Sequence, residues 1–185
     1  DKVFDFEWIN DFSAARNFCA STASHNIILS LDTDEYVTNI DLPKLDILLE
    51  QNPKSVGEIM LTNYFRDDND MIVSQDAWLT RLYNRKYFLF SGTIHETITP
   101  KKNVPFNHYH LPIKVDHDGY LASKEKLNEK SLRNIQLLQQ NLEKNPHDPY
   151  LNFQIGQSYL VMRNEELAIH YFRIAMTNTP PVAND

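Results

Sequence analysis

The chain has 185 residues, 42% of them hydrophobic and 11% aromatic, enough for one sizeable core or a core with a small appendage. A formal net charge of -7 argues against nucleic acid as a partner, since binding to phosphate backbones needs a concentrated basic surface. No apolar run is long enough to span a bilayer, and the single cysteine, Cys19, excludes an internal disulfide framework and suits a reducing cytoplasm.

The chain begins at Asp1, without an initiator methionine, and ends in Pro180-Pro181 and a few small or polar residues. It reads as a piece of something longer. Asn10-Asp11-Phe12-Ser13 supplies a helix start, with Ala14, Ala15, Phe18, Cys19 and Ala23 following at helical spacing, which makes Cys19 an expected core residue. Asn26 to Leu31 is a short apolar run that reads as a strand buried on both faces of a parallel sheet. It stops on Asp32, Asp34 and Glu35. Acids at the carboxyl end of such a strand lie where open α/β sheets bind ligands. Crowded carboxylates there suit a hard divalent cation, and a plain helix cap is the other reading.

Asp41-Leu42-Pro43 opens a helix with Leu42, Leu45, Leu48 and Leu49 on one face, ending near Asn52-Pro53. Val56 to Phe65 alternates as a strand should, and residues 66–70 form a solvated loop. Ala77 to Tyr83 and Tyr87 to Phe90 read as strands joined by a hairpin turn at Asn84-Arg85-Lys86, and Asn107 to Asp116 as one more strand. After Tyr120 the pattern turns helical. Ser123 to Lys144 carries an apolar stripe of Leu127, Ile135, Leu138 and Leu142. A proline-bounded break at residues 145–149 separates it from helices over Tyr150 to Met162 and Glu165 to Thr177. The boundary between an α/β part and an all-helical part lies near Ala122.

In the tail, Gly156, Tyr159, Ala168, Phe172, Ala175 and Pro180 fall at the spacing of the tetratricopeptide signature, which residues 149–182 resemble. Gly156 and Ala168 permit close helix approach, and Tyr159 and Phe172 fill the groove between. The match departs at Asn152, where that family usually has tryptophan. A lone repeat leaves one face for a further repeat or a partner protein.

Several segments carry candidate chemistry. Arg16 and Asn17 lie early in the first helix, where an arginine can pair with a phosphate bidentately or with an acid such as Asp34. His95-Glu96 follows a glycine turn, with Arg81 and Arg85 upstream. A carboxylate there suits a general base, and a polar loop with an ion pair is the alternative. His117-Asp118 adds an imidazole able to join a metal's ligands. His108 and His110 alternate on one strand face but lack a third zinc ligand at a strong spacing.

In order, Trp8-Ile9-Asn10-Asp11-Phe12-Ser13-Ala14-Ala15-Arg16-Asn17, Leu31-Asp32-Thr33-Asp34-Glu35, Gly92-Thr93-Ile94-His95-Glu96 and His117-Asp118-Gly119-Tyr120 resemble the family 2 glycosyltransferases. The likeness is closest to bacterial members with tetratricopeptide repeats after the catalytic domain. The resemblance implies an α/β chain: the C-terminal part of a GT-A, Rossmann-like mixed sheet over residues 1–122, then an all-helical region over 123–185. It implies an inverting transfer from a nucleotide-sugar donor to a glycan, lipid-linked saccharide or peptide acceptor, helped by Mn2+ or Mg2+. By that resemblance Asp32, Asp34 and His117 hold the metal, with Asp34 the more direct ligand. Asp11, Arg16, Asn17, Asp32, Arg81 and Arg85 lie toward the donor. Glu96 deprotonates the acceptor, with Asp76 in reserve. Members begin with a strand, helix and strand that cradle the nucleotide base, and the sequence here starts just before the Trp8 motif. The other class of function is a non-catalytic repeat module that binds a protein partner on a degenerate transferase scaffold.

Overall fold

A computed structural model describes residues 2–67 and 69–179. The chain divides into two compact units, Asp1–Leu121 and Ala122–Asp185. In the first unit, α1 (Phe12–Thr22) starts where the Asp11 side chain accepts from the Ala14 amide at 2.9 Å, satisfying one of the orphan donors of the first turn. Its last carbonyls are met by the Arg85 guanidinium, which donates to Ser21 at 3.0 Å and to Ala20.

Polar groups, rather than an apolar stripe, fasten this helix. Ser13 Oγ donates to the Gly92 carbonyl at 2.6 Å. The Asn17 amide donates to the carbonyl of Phe90 and accepts from its N–H, both at 2.9 Å. The buried line therefore runs through Ser13 and Ala20. Cys19, expected in the core, is exposed because it lies off that line.

The remaining elements are β1 (Ile27–Leu29), β2 (Glu35–Ile40), α2 (Leu42–Gln51), β3 (Val56–Arg66), β4 (Ile72–Asn84), β5 (Phe88–Ser91), β6 (Thr97–Pro100) and β7 (His108–His117). One mixed sheet has the order β1-β4-β3-β7-β2, and β5 pairs with β6 in a separate ribbon. Among the described residues, only β3 and β7 run parallel.

The structure corrects the reading of Asn26 to Leu31. β1 is three residues long, antiparallel to β4 at the sheet edge, with Ile27 and Leu29 exposed. An apolar run of that length does not distinguish an edge from a centre. β2 and β6 carried no strand signal that the sequence reading used. Asn84-Arg85-Lys86 does turn the chain, with the Tyr87 amide on the Asn84 carbonyl at 2.9 Å. The strands on either side nonetheless enter different sheets, so the turn is not a hairpin.

The face of the large sheet that carries Ile59, Leu61, Leu111, Ile113 and Val115 is the core, joined by Leu82 and by Leu31, Leu45 and Leu49. A bulge between Gly57 and Glu58 shifts the β3–β4 register, which lets both Leu79 and Leu82 serve that core. A second cluster of Ala20, Val56, Tyr83, Phe88, Phe90 and Ile98 lies under α1. On β3 and β7 the apolar alternation ends at the pair Asn63 and His117, so the same face turns polar at one end.

In the second unit, α3 (Lys124–Leu142), α4 (Pro149–Val161) and α5 (Glu165–Asn178) are capped by Ser123, Asp148 and Asn164. Gly156 meets the Phe172 ring so closely that a Cβ there would lie 2.6 Å from it. Tyr159 stacks on Tyr171, and Ala168 and Ala175 are buried. Asn152, standing where an aromatic was looked for, is fully buried and donates to the Pro146 and Asp148 carbonyls at 3.1 and 2.8 Å. A cavity of about 510 Å³ opens beside Tyr150, Phe153, Phe172 and Met176. Pro180, expected to end the last helix, lies outside the described residues.

Candidate active site

The acidic turn after β1 splits into two sets of contacts. Asp32 is held by arginines: Arg16 Nη2 reaches Oδ1 at 2.6 Å and Arg81 Nη2 reaches Oδ2 at 3.1 Å. Each arginine also grips a second carboxylate, Arg16 that of Glu96 and Arg81 that of Glu35. Glu96, Arg16, Asp32, Arg81 and Glu35 thus alternate in charge along one continuous row. Arg16 Nη1 adds a bond to Ser30 Oγ at 3.2 Å. Burial of Arg16 works against its charge, but Asp32 and then Glu96 outweigh it and its pKa is raised.

Asp34 faces the other way. Its Oδ2 lies 3.4 Å from His117 Nε2. The other ring nitrogen of His117, Nδ1, is 2.8 Å from Asn63 Oδ1. The Asn63 side chain thereby orients the ring, with Nε2 turned toward Asp34. A carboxylate oxygen and an imidazole nitrogen face one another across a short gap, which a proton or a divalent cation can bridge. Gly119 closes the third side: a Cβ on it would lie 2.3 Å from Asp34 Oδ2 and 2.6 Å from His117 Nε2. The Asp118 amide reaches the Asp34 carbonyl at 3.3 Å.

The expected metal set is therefore brought together only in part. Asp34 and His117 meet, while both oxygens of Asp32 are taken by arginine. Among the described residues no group of three or more His, Cys, Asp or Glu could hold a metal ion. Two protein ligands still fit a hard divalent cation that completes its shell with water and substrate phosphates. A histidine ligand is commonly oriented through its other ring nitrogen by an oxygen acceptor, the place Asn63 Oδ1 takes beside His117.

Of the residues placed toward a donor, Arg16, Asp32 and Arg81 lie in the charged row. Asp11, Asn17 and Arg85 do not; they cap and fasten α1. Arg16 pairs with Asp32, not with Asp34. Glu96 follows His95, which has a left-handed φ of 51°. Burial lowers the pKa of His95, and Glu96 acts in the opposite sense. Asp76 lies elsewhere. It accepts from Thr62 Oγ1 at 2.8 Å, and its rung with Thr62 and Asp116 points to the face opposite Asn63 and His117. His108 and His110 both engage Glu58, at 2.9 and 3.2 Å.

Two contributors escaped the sequence reading as site residues: Asn63 and Gly119. Asn63 had a usable signal, since Ile59, Leu61 and Asn63 alternate inward and the series ends in an amide. Gly119 depends on contacts between segments far apart in the chain, and Glu35, read with the acidic turn as one of its crowded carboxylates, is instead buried against Arg81.

No family model matches the chain. It is similar to glycosyltransferases. The SPbeta prophage-derived glycosyltransferase SunS of Bacillus subtilis (strain 168) and the glycosyltransferase SunS of Bacillus phage SPbeta are each 26% identical to it over 173 residues. The similarity takes in 93% of this chain, which spans 40% of the length of those relatives.

Proposed function

We propose that the chain carries the metal- and acceptor-side half of a glycosyltransferase of the inverting, GT-A type, followed by a tetratricopeptide-like helical region. The observation that carries sugar transfer is the similarity to the SunS glycosyltransferases across 93% of the chain. The Asp34–His117 pair supports a divalent cation, Mn2+ or Mg2+, and the carboxylate suits either ion. When bound, such an ion neutralises charge on the diphosphate of a nucleotide-sugar donor.

The chain's own groups do the rest. The acceptor nucleophile bonds to the anomeric carbon, the bond from that carbon to the diphosphate oxygen breaks, and the acceptor's proton passes to the Glu96 carboxylate. Arg16 holds Glu96 and Asp32 together, so the base and the acidic turn keep one spacing. Asp32, half-exposed although doubly paired, presents its outer edge to donor hydroxyls. Glu96 is a better base candidate than Asp76, which points to the other sheet face.

The test uses the protein with its natural flanking sequence, a panel of nucleotide sugars, and Mn2+ supplied or withheld. Nucleoside diphosphate release is expected with one or more donors, and Asp34→Asn should lower it at least a hundredfold. Release by Asp34→Asn at the wild-type rate overturns the metal assignment. Absence of both release and donor binding across the panel overturns sugar transfer.

A further inference from the structure

We propose that Glu35 is a positioning residue that fixes the acidic turn so that Asp34 meets His117. The inference rests on the reading above that this pair holds a divalent cation. The Glu35 side chain is 2% exposed and touches no open surface, so a role in binding substrate directly is excluded by its place. Its two oxygens do different work. Oε2 accepts from the Asp32 amide at 3.0 Å, and Oε1 accepts from Arg81 Nη2. In return the Glu35 amide donates to the Asp32 carbonyl at 3.1 Å. The four residues of the turn are therefore closed from both ends by reciprocal bonds, the logic by which a capping box fixes a helix start.

Glu35 is also the first residue of β2, and its register partner is His117. One residue thus ties the turn to the strand end that carries the imidazole. Asp34, between the two closures, has little freedom to swing its backbone away from His117. Burial of this carboxylate is compensated by Arg81 and an amide, as a buried charge requires. Apolar packing could have held a strand end without that cost. What the carboxylate adds is directionality at one particular turn.

The prediction is that Glu35→Gln, which withdraws the charge opposite Arg81 and puts a donor where an acceptor stood, weakens Mn2+ binding by about 10- to 100-fold, the scale seen for lost supports of a metal ligand. Mn2+ alone is titrated against the full protein and followed by electron paramagnetic resonance, beside thermal melting. Ser13→Ala is the control, since it removes a buried bond outside the row and should change melting while leaving Mn2+ affinity at the wild-type value. Should Glu35→Gln not fold, Glu35→Asp keeps the charge but withdraws it from Asp32 N, and the same loss is expected. Wild-type Mn2+ affinity in a folded Glu35 variant, with binding abolished in Asp34→Asn, overturns the inference and leaves the functional reading intact. Wild-type affinity in both Asp34→Asn and His117→Ala overturns the functional reading, and the role of Glu35 with it.

Discussion

Gly119→Ala is the sharpest probe of the candidate site, because one added methyl group meets both proposed ligands. The new Cβ would lie 2.3 Å from Asp34 Oδ2, 2.6 Å from His117 Nε2 and 3.1 Å from Asp34 Cγ. Restoring ordinary contact requires the carboxylate to retreat by about 1 Å. A functional constellation tolerates only about 0.5 Å. The expected loss of Mn2+ affinity is therefore about 10- to 100-fold, or roughly 1.4 to 2.8 kcal/mol.

The fold should scarcely notice. Gly119 has no positive φ, so alanine suits its backbone, and the side chains to be displaced are the ends of a partly exposed aspartate and a histidine. A change in stability within about 1 kcal/mol follows. Gly57→Ala is the contrasting variant, since its Cβ would meet Leu111 at 2.6 Å in the apolar core. It should destabilise by about 1 to 3 kcal/mol and leave Mn2+ affinity unchanged in the folded fraction. Paired Mn2+ titrations and chemical denaturation decide the matter. Unchanged Mn2+ binding in Gly119→Ala, or equal binding losses in the two variants, would refute the reasoning.

Tyr83 is almost fully buried, and among the described residues its hydroxyl has no hydrogen-bond partner. Tyr83→Phe should therefore be neutral or stabilising, by up to about 1 kcal/mol in thermal melting. Burial also pushes the Tyr83 pKa up to about 12. The unfolded chain releases that proton near pH 10, before the folded one. Stability should then fall between pH 10 and 12, with Tyr83→Phe flattening that part of the curve. Gly156→Ala would drive a methyl group into the Phe172 ring and should lower stability by about 1 to 3 kcal/mol in denaturant titration. Arg85→Ala removes the cap on the last carbonyls of α1. About 1 to 2 kcal/mol should be lost, with faster hydrogen exchange confined to the last turn of that helix.

How far the chain could be read in advance depended on the range of the interaction. Helix caps are local, and Asp11, Asp41, Ser123, Asp148 and Asn164 all lie where a short polar side chain precedes a periodic stretch. The long alternation of β3 was legible for the same reason. Pairing was not. β1 and a central parallel strand have the same local texture, and only the neighbour on one side distinguishes them. Cys19 was misjudged because α1 is fastened by Ser13 and Asn17 to distant carbonyls, a mode that leaves no apolar periodicity. The candidate site behaved likewise. Asp34 and His117 were both picked out, but that Asp32 belongs with Arg16 and Arg81 is a matter of three segments meeting.

That division of the acidic turn has a chemical sense. Asp32 with two arginines is a neutralised carboxylate, its orientation set from both oxygens, and it adds little charge to attract a cation. Asp34 has an imidazole opposite it and one edge exposed. Electrostatics alone would let a cation bridge the two aspartates, one residue apart on either side of Thr33. On the reading proposed above, the arginine row would prevent this by holding Asp32 in an ion-paired state. On that same reading, a cation would thereby be confined to the Asp34–His117 side, where substrate phosphate oxygens could complete its shell. Replacing Arg81 with methionine would release one oxygen of Asp32 and leave Glu35 buried beside an apolar chain. If confinement is the work of the row, the variant should bind Mn2+ in an altered coordination environment, visible as a changed zero-field splitting. An unchanged Mn2+ spectrum in the folded variant would mean that the row only supports the turn.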